Sequence, residues 1–297
     1  MTNRVAVSLA LPDTETCLKT LGQIGPDIGM AEIRVDMMDS CDLPRLIENS
    51  PCPLIITCRP QREGGRYVGS EDKRLDLLAR AAQLGCAFVD VEWDSLDSFK
   101  QRRQSNKGLI VSRHWLDSMP ETLLPTYETL MHQAEAVKLV GYAHCPADAE
   151  VTFKLMKYAT TPLIAIAMGE AGQLTRLLAP CFANCLLTYG AISSEVVTAP
   201  GQLTLSEMID IYRLHEVGVH TEVHLHLCLD SDIAYETNEK NRYVVDGESL
   251  HIGLIVSPAE AENFLPGILS WLPKLSLTVD PCLALMLPAL FPDTPIN

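Results

Sequence analysis

The sequence predicts an α/β fold: a (β/α)8 TIM barrel followed by a small C-terminal α/β extension. Three observations predict it. Eight short, nearly continuous apolar runs recur over roughly the first two hundred residues, the texture of strands buried on both faces of a parallel sheet. Helical patterns lie between them, and about eight β-then-α units is the count of such a barrel. Polar residues then fall late in those runs or just beyond them, where a barrel of this kind carries its function. An open doubly wound sheet is the alternative, but no G-x-G-x-x-G follows any run, which weighs against a dinucleotide-binding version.

In order, the runs are Val5–Leu9, Ala31–Val35, Leu54–Cys58, Ala87–Glu92, Leu109–Ser112, Ala136–Val140, Leu163–Ala167 and Cys185–Thr188. Asp72–Leu84 reads as an amphipathic helix, with Leu75, Leu78, Ala79 and Ala82 on one face, and Ala147–Tyr158 reads as another. A helix over Leu205–His215 closes the unit. The texture changes after it. His220, His224 and His226 cluster, Asp230–Arg242 is polar, and Pro-punctuated apolar segments run to Asn297. We therefore divide the chain into residues 1–216 and residues 217–297, the second being short for a full α/β enzyme domain.

Composition narrows the function. The 297 residues carry 38 acids against 23 bases, a net charge of −15. So acidic a chain repels a phosphate backbone, which argues against general nucleic-acid binding. An anionic small substrate would need Arg or Lys placed locally. The ten cysteines form no C-x-x-C pair and no zinc-like spacing, and they read as reduced cytosolic thiols. The N-terminus enters a strand-like run without signal-peptide architecture, so a cytoplasmic location is expected. The apolar stretch Leu275–Phe291 is broken by Asp280, Pro281 and Pro288, which argues against a membrane span. The oligomeric state stays open, a homodimer among the options.

Glu32 and Arg34 lie late in the second run, Arg59 and Glu63 follow the third, Glu92 ends the fourth and His114 ends the fifth. Lys138 lies inside the sixth, Arg176 follows the seventh, and Thr198 and Gln202 follow the eighth. Charged side chains are almost never buried unless paired, so several converging on one mouth would form an ionic pocket. Lys138, framed by Val137 and Leu139, is the sharpest of these. Burial in an apolar strand would favour the neutral amine needed to attack a carbonyl. By itself, a lysine reaching solvent is the commoner case. His114 could act as acid and base near neutral pH, and Glu63 could orient it. Arg176 could clamp a carboxylate, or it could form a surface salt bridge. Alternation along Thr221–Leu227 would put His220, His224 and His226 on one strand face. Without nearby carboxylates they read as a polar face, and no metal is expected.

The ordered set resembles a known family. Glu32-Ile33-Arg34-Val35-Asp36, Thr57-Cys58-Arg59 with Glu63-Gly64-Gly65, and Asp90-Val91-Glu92 come first. Ser112-Arg113-His114, Val137-Lys138-Leu139, Ala167-Met168-Gly169 with Arg176, and Thr198-Ala199-Pro200-Gly201-Gln202 follow. Across residues 3–215 these are similar to the motifs of type I 3-dehydroquinate dehydratase. The resemblance implies a (β/α)8 barrel that converts 3-dehydroquinate to 3-dehydroshikimate without metal or cofactor. It implies a Schiff base on Lys138, proton transfer by His114, and orientation of His114 by Glu63. Arg176 would hold the substrate carboxylate, while Glu32, Arg34, Arg59 and Gln202 would bind hydroxyls or shape the pocket. Thr198 keeps a hydroxyl where relatives carry Ser. Two rivals are an aldolase-like Schiff-base lyase and a catalytically silent barrel acting as a binding or scaffold module.

The tail more faintly resembles the start of a shikimate dehydrogenase substrate domain. Thr221–Leu229, Asn241–Val245 and Leu250–Pro258 look like its opening elements. Leu275–Pro281 looks like its T-x-P-x-K segment without the lysine, and the sequence ends before any glycine-rich cofactor motif. A truncated or degenerate remnant without dehydrogenase activity is expected there.

Overall fold

The computed structural model describes residues 3–229, 249–256 and 275–279. Eight parallel strands make one sheet: β1 (Val5–Leu9), β2 (Met30–Arg34), β3 (Leu54–Thr57), β4 (Phe88–Glu92), β5 (Leu109–Trp115), β6 (Ala136–Tyr142), β7 (Leu163–Met168) and β8 (Thr188–Ala191). Its order is β7-β6-β5-β4-β3-β2-β1-β8. The seam between β7 and β8 is joined at its N-terminal end, where Leu163 pairs with Cys185 and Leu186 N–H donates to the Leu163 carbonyl. The sheet is thus a nearly closed (β/α)8 barrel, as the sequence predicts. The helices between strands are α1 (Thr14–Ile24), α2 (Leu43–Asn49), α3 (Glu71–Gln83), α4 (Leu96–Arg102), α5 (Leu124–Leu130), α6 (Glu150–Tyr158) and α7 (Gln173–Leu178). Capping fixes where several begin: Asp13, Asp42 and Ser70 side chains accept the N–H groups of Thr16, Arg45 and Lys73.

Strand periodicity divides the apolar residues into two sets. Val5, Val7, Ile33, Ile56, Val89, Val111, Leu139 and Ala165 belong to the large cluster between strands and helices. Ala6, Met30, Ile55, Phe88, Ile110, Ala136 and Leu187 form a second cluster filling the barrel. Further along the same inward faces the residues become Ser8, Glu32, Thr57, Asp90, Ser112 and Lys138. The barrel is therefore apolar at the N-terminal end of its strands and ionic toward the other end.

Three predicted elements differ. The eighth strand is Thr188–Ala191, displaced from the apolar run Cys185–Thr188, because Tyr189-Gly190-Ala191 continues the pairing with β1. The helix predicted over Ala147–Tyr158 opens as a 3-10 turn at Pro146–Ala149 before α6. The one predicted over Leu205–His215 is cut short: it widens into a π-helical turn at Glu207–Ile211, and Arg213 takes a left-handed backbone (φ 46°).

Beyond the barrel, β9 (Glu222–Leu229), β10 (Ser249–Val256) and β11 (Leu275–Val279) form a parallel sheet in the order β10-β9-β11. His220 precedes β9, so the predicted three-histidine strand face does not form. The expected segments Asp230–Arg242 and Asn241–Val245 lie outside the described residues. Among the described residues no helix is long and apolar enough to cross a membrane.

Candidate active site

One cavity of about 300 Å3 opens at the C-terminal end of the barrel strands. Nine of the ten residues singled out from the sequence line it: Glu32, Arg34, Arg59, Glu63, His114, Lys138, Arg176, Thr198 and Gln202; Glu92 lies beneath, paired with Arg59 and Arg74. Val140, Tyr142, Ile166, Met168 and Tyr189 complete its apolar wall.

Lys138 rises from the middle of β6, 5% exposed. Its strand neighbours Val137 and Leu139 point outward into the helix layer. Its Nζ therefore does not meet the apolar surroundings that its sequence frame suggests. It lies 3.1 Å from Glu32 Oε1 and 3.0 Å from Asp90 Oδ2, with the Tyr189 ring centroid at 4.7 Å. Each carboxylate is itself tied down. Glu32 accepts from Ser8 Oγ (2.7 Å) and Thr57 Oγ1 (2.8 Å). Asp90 accepts from Ser112 Oγ (2.5 Å) and Arg59 Nη2 (2.6 Å). Burial would raise both acids, but Lys138 with Arg34 for Glu32, and Arg59 with Lys138 for Asp90, outweigh it and hold both below the usual carboxylate range.

His114 ends the inward row of β5. Its Nδ1 is 2.8 Å from Glu63 Oε2, which also accepts the His114 backbone N–H at 2.8 Å. With Nδ1–H donating to that carboxylate, Nε2 carries the lone pair. Burial, reinforced by Arg59 and Lys138, pushes the imidazole well below its usual range, so it is neutral near pH 7. Burial also pushes Glu63 up to about 7. The Gly64-Gly65 pair makes this placement feasible. Gly64 adopts a left-handed φ of 77°, and a Cβ on Gly65 would lie 2.0 Å from the Arg59 carbonyl oxygen.

The three arginines lining the cavity differ in their partners. Arg34 is forked onto Asp36 (2.9 and 2.7 Å). Arg59 holds Asp90, Glu92 (2.7 Å) and Ser112 (2.7 Å), and burial is outweighed by Asp90 and Glu92, which raise its proton affinity. Arg176, on α7, is 1% exposed and meets no carboxylate among the described residues. Its Nε has no hydrogen-bond partner, and its nearest acceptors are the Tyr189 and Pro200 carbonyls, both at 3.5 Å. Burial alone brings it down to about 10. Arg176 is thus no surface residue: among the described residues it forms no salt bridge, and it lines the cavity. The Gln202 side-chain oxygen folds the last loop over the mouth by accepting from Thr198 N (2.8 Å), Thr198 Oγ1 (3.1 Å) and Ala199 N (3.1 Å).

Sequence reasoning gave no role to three neighbours of these residues. Asp90 was visible as an acid inside the apolar run Phe88–Glu92, the same signal that marks Glu32. Tyr189 gave no signal, since an aromatic in a strand is ordinarily core. Arg74 was hidden on a polar helix: fully buried, it passes between strands and helices to place Nη1 2.6 Å from Glu92 Oε2. Among the described residues no cluster of three or more His, Cys, Asp or Glu is placed to hold a metal.

Comparison with known proteins adds to this geometry. The model of the type I 3-dehydroquinase family matches residues 5–218. A 3-dehydroquinate dehydratase of Desulfotalea psychrophila is 34% identical over 223 residues, covering 70% of this chain and 96% of the relative. A chloroplastic bifunctional 3-dehydroquinate dehydratase/shikimate dehydrogenase of Arabidopsis thaliana is 33% identical over 213 residues, covering 68% of this chain. This chain spans only 35% of that plant relative's length. The crystal structure of 3-dehydroquinate dehydratase from Geobacillus kaustophilus superposes with a TM-score of 0.59, covering 70% of this chain and 89% of that one at 24% identity. At that identity the likeness bears on the fold.

Proposed function

This chain belongs to the type I 3-dehydroquinase family, and on that premise we propose that its barrel dehydrates 3-dehydroquinate to 3-dehydroshikimate through a Schiff base on Lys138. The observation that carries the proposal is one cavity holding a buried amine, an imidazole hydrogen-bonded to a carboxylate, and a buried cation that meets no anion among the described residues. In this mechanism Arg176 engages the substrate carboxylate and Lys138 Nζ attacks the ketone, which loses its oxygen as water. The resulting iminium draws electrons from the adjacent C–H bond as His114 Nε2 removes that proton. The carbanion, held as an enamine, expels the neighbouring hydroxyl, which leaves as water with the proton His114 carries. Hydrolysis of the imine then frees the enone and restores the amine. Glu63 holds the imidazole, while Glu32, Arg34, Arg59, Thr198 and Gln202 seat the ring hydroxyls or close the pocket.

We assign residues 1–216 to this unit. Residues 217–297 we read as a partial shikimate dehydrogenase substrate-domain-like segment without dehydrogenase activity. The parallel order β10-β9-β11 supports an α/β arrangement there. The test is incubation with 3-dehydroquinate and borohydride, followed by peptide mass spectrometry and an absorbance assay for the conjugated enone. A reduced adduct on Lys138, lost in Lys138→Ala, is expected. Product formed by a Lys138→Ala enzyme at the normal rate would overturn the assignment.

A further inference from the structure

The inward face of β8 carries one polar atom that the mechanism above does not use. Tyr189 is 3% exposed, and its hydroxyl is buried with no hydrogen-bond partner among the described residues. It is not in the hydrophobic layer behind the barrel. Tyr189 lines the catalytic cavity, its ring face lies 4.7 Å from Lys138 Nζ, and its carbonyl oxygen is the one nearest to Arg176 Nη1. Native structures rarely leave a buried hydroxyl unpaired, because its lost hydration is not recovered. A phenylalanine here would fill nearly the same volume and offer the same aromatic face to the Lys138 nitrogen. It would carry no orphaned group. The hydroxyl is therefore unexplained by packing or by the cation–π contact, and it needs a partner that arrives from the cavity.

We propose that the Tyr189 hydroxyl is a substrate contact that donates a hydrogen bond to the substrate oxygen lying beside the Lys138 nitrogen. The inference rests on the dehydratase reading above and adds a specificity-determining group to it. The donor keeps its own proton: it orients and polarises the ketone for attack by Lys138 and holds that oxygen until it leaves as water. A site whose buried donor is satisfied only by substrate favours a ligand that brings an oxygen to that position.

The test compares wild type, Tyr189→Phe and Tyr189→Leu in thermal unfolding without substrate, steady-state dehydration of 3-dehydroquinate, and borohydride trapping. A substrate contact predicts opposite signs for Tyr189→Phe. Its melting temperature without substrate is at or above that of wild type, since an unpaired hydroxyl has been deleted. Its kcat/KM falls about three- to tenfold, the loss of one neutral hydrogen bond. Tyr189→Leu loses more, because the ring beneath the nitrogen goes as well. A Tyr189→Phe enzyme with wild-type kcat/KM, or one that melts below wild type, overturns the inference and leaves the dehydratase reading standing. A wild-type chain that yields neither product nor Lys138 adduct overturns both.

Discussion

Replacing Arg176 with methionine is expected to make the protein more stable and less active. Its guanidinium is buried beside two carbonyls at 3.5 Å, with no carboxylate among the described residues. Proton affinity measures what that isolation costs. A guanidinium held at about 10, against its usual value of roughly 12.5, carries about 3 kcal/mol of unrelieved desolvation at about 1.4 kcal/mol per tenfold change. The charge persists at neutral pH, so wild type bears the whole of it there. Methionine has similar length and no charge, so up to about 3 kcal/mol is recovered, less whatever the altered packing costs. In a domain of this size that is a rise of roughly 5–10 °C in melting temperature. The same substitution would delete the proposed charge-assisted contact to the substrate carboxylate, so kcat/KM is expected to fall by about tenfold to a hundredfold per lost hydrogen bond. Calorimetry without substrate and steady-state kinetics read the two effects separately. If Arg176→Met melts below wild type, the guanidinium has a stabilising partner and is not reserved for an anion. If kcat/KM is unchanged, the carboxylate binds elsewhere.

Three further outcomes are expected. Dehydration should rise with pH through about 7 as Glu63 ionises, and Glu63→Gln should remove that limb and lower kcat by about 10²-fold or more; a pH–rate profile unchanged by the substitution would detach Glu63 from His114. Because burial raises Glu63, its contribution to stability is full below the ordinary glutamate range and is lost as pH climbs through about 7, so Glu63→Gln should unfold at higher urea than wild type at pH 8 but not at pH 4. Arg74→Met should destabilise the fold by about 3–5 kcal/mol by leaving Glu92 a buried charge with one partner fewer; adding Glu92→Gln should restore part of that, and strict additivity in the double-mutant cycle would deny the contact.

The barrel was legible because both faces of its strands are buried. Continuous apolar runs such as Leu54-Ile55-Ile56 admit few other readings, and a charged residue inside one, such as Lys138 or Glu32, announces a polar interior. The last strand was displaced because Thr188-Tyr189-Gly190-Ala191 is small and mixed, whereas the preceding Cys185-Leu186-Leu187 carries the stronger apolar signal without the pairing to β1. The site's residue types were legible, but their partners were not. Local sequence does not reveal that Arg34 spends its fork on Asp36 or that Arg59 is taken by Asp90 and Glu92. Nor does it reveal that Arg176, on a short helix, meets no anion among the described residues. Those distinctions depend on which strands adjoin in the closed sheet, so only the three-dimensional register decides them.

That register also bears on how the proposed chemistry could run inside so acidic a wall. Glu32 and Asp90 are ionised and lie 3.1 and 3.0 Å from the Lys138 nitrogen, an arrangement suited to a cation. The nucleophile must be neutral at the moment of attack, yet the species that follows is again cationic at the same atom. A protonated amine and an iminium place the same charge against the same two carboxylates and the same aromatic face. The carboxylates are already fixed by Ser8, Thr57, Ser112 and Arg59. No dipole therefore has to turn when the electron sink forms, which is the condition under which electrostatic stabilisation is most effective. For carrying that electron sink, a lysine between two fixed carboxylates is better placed than a lysine in hydrocarbon.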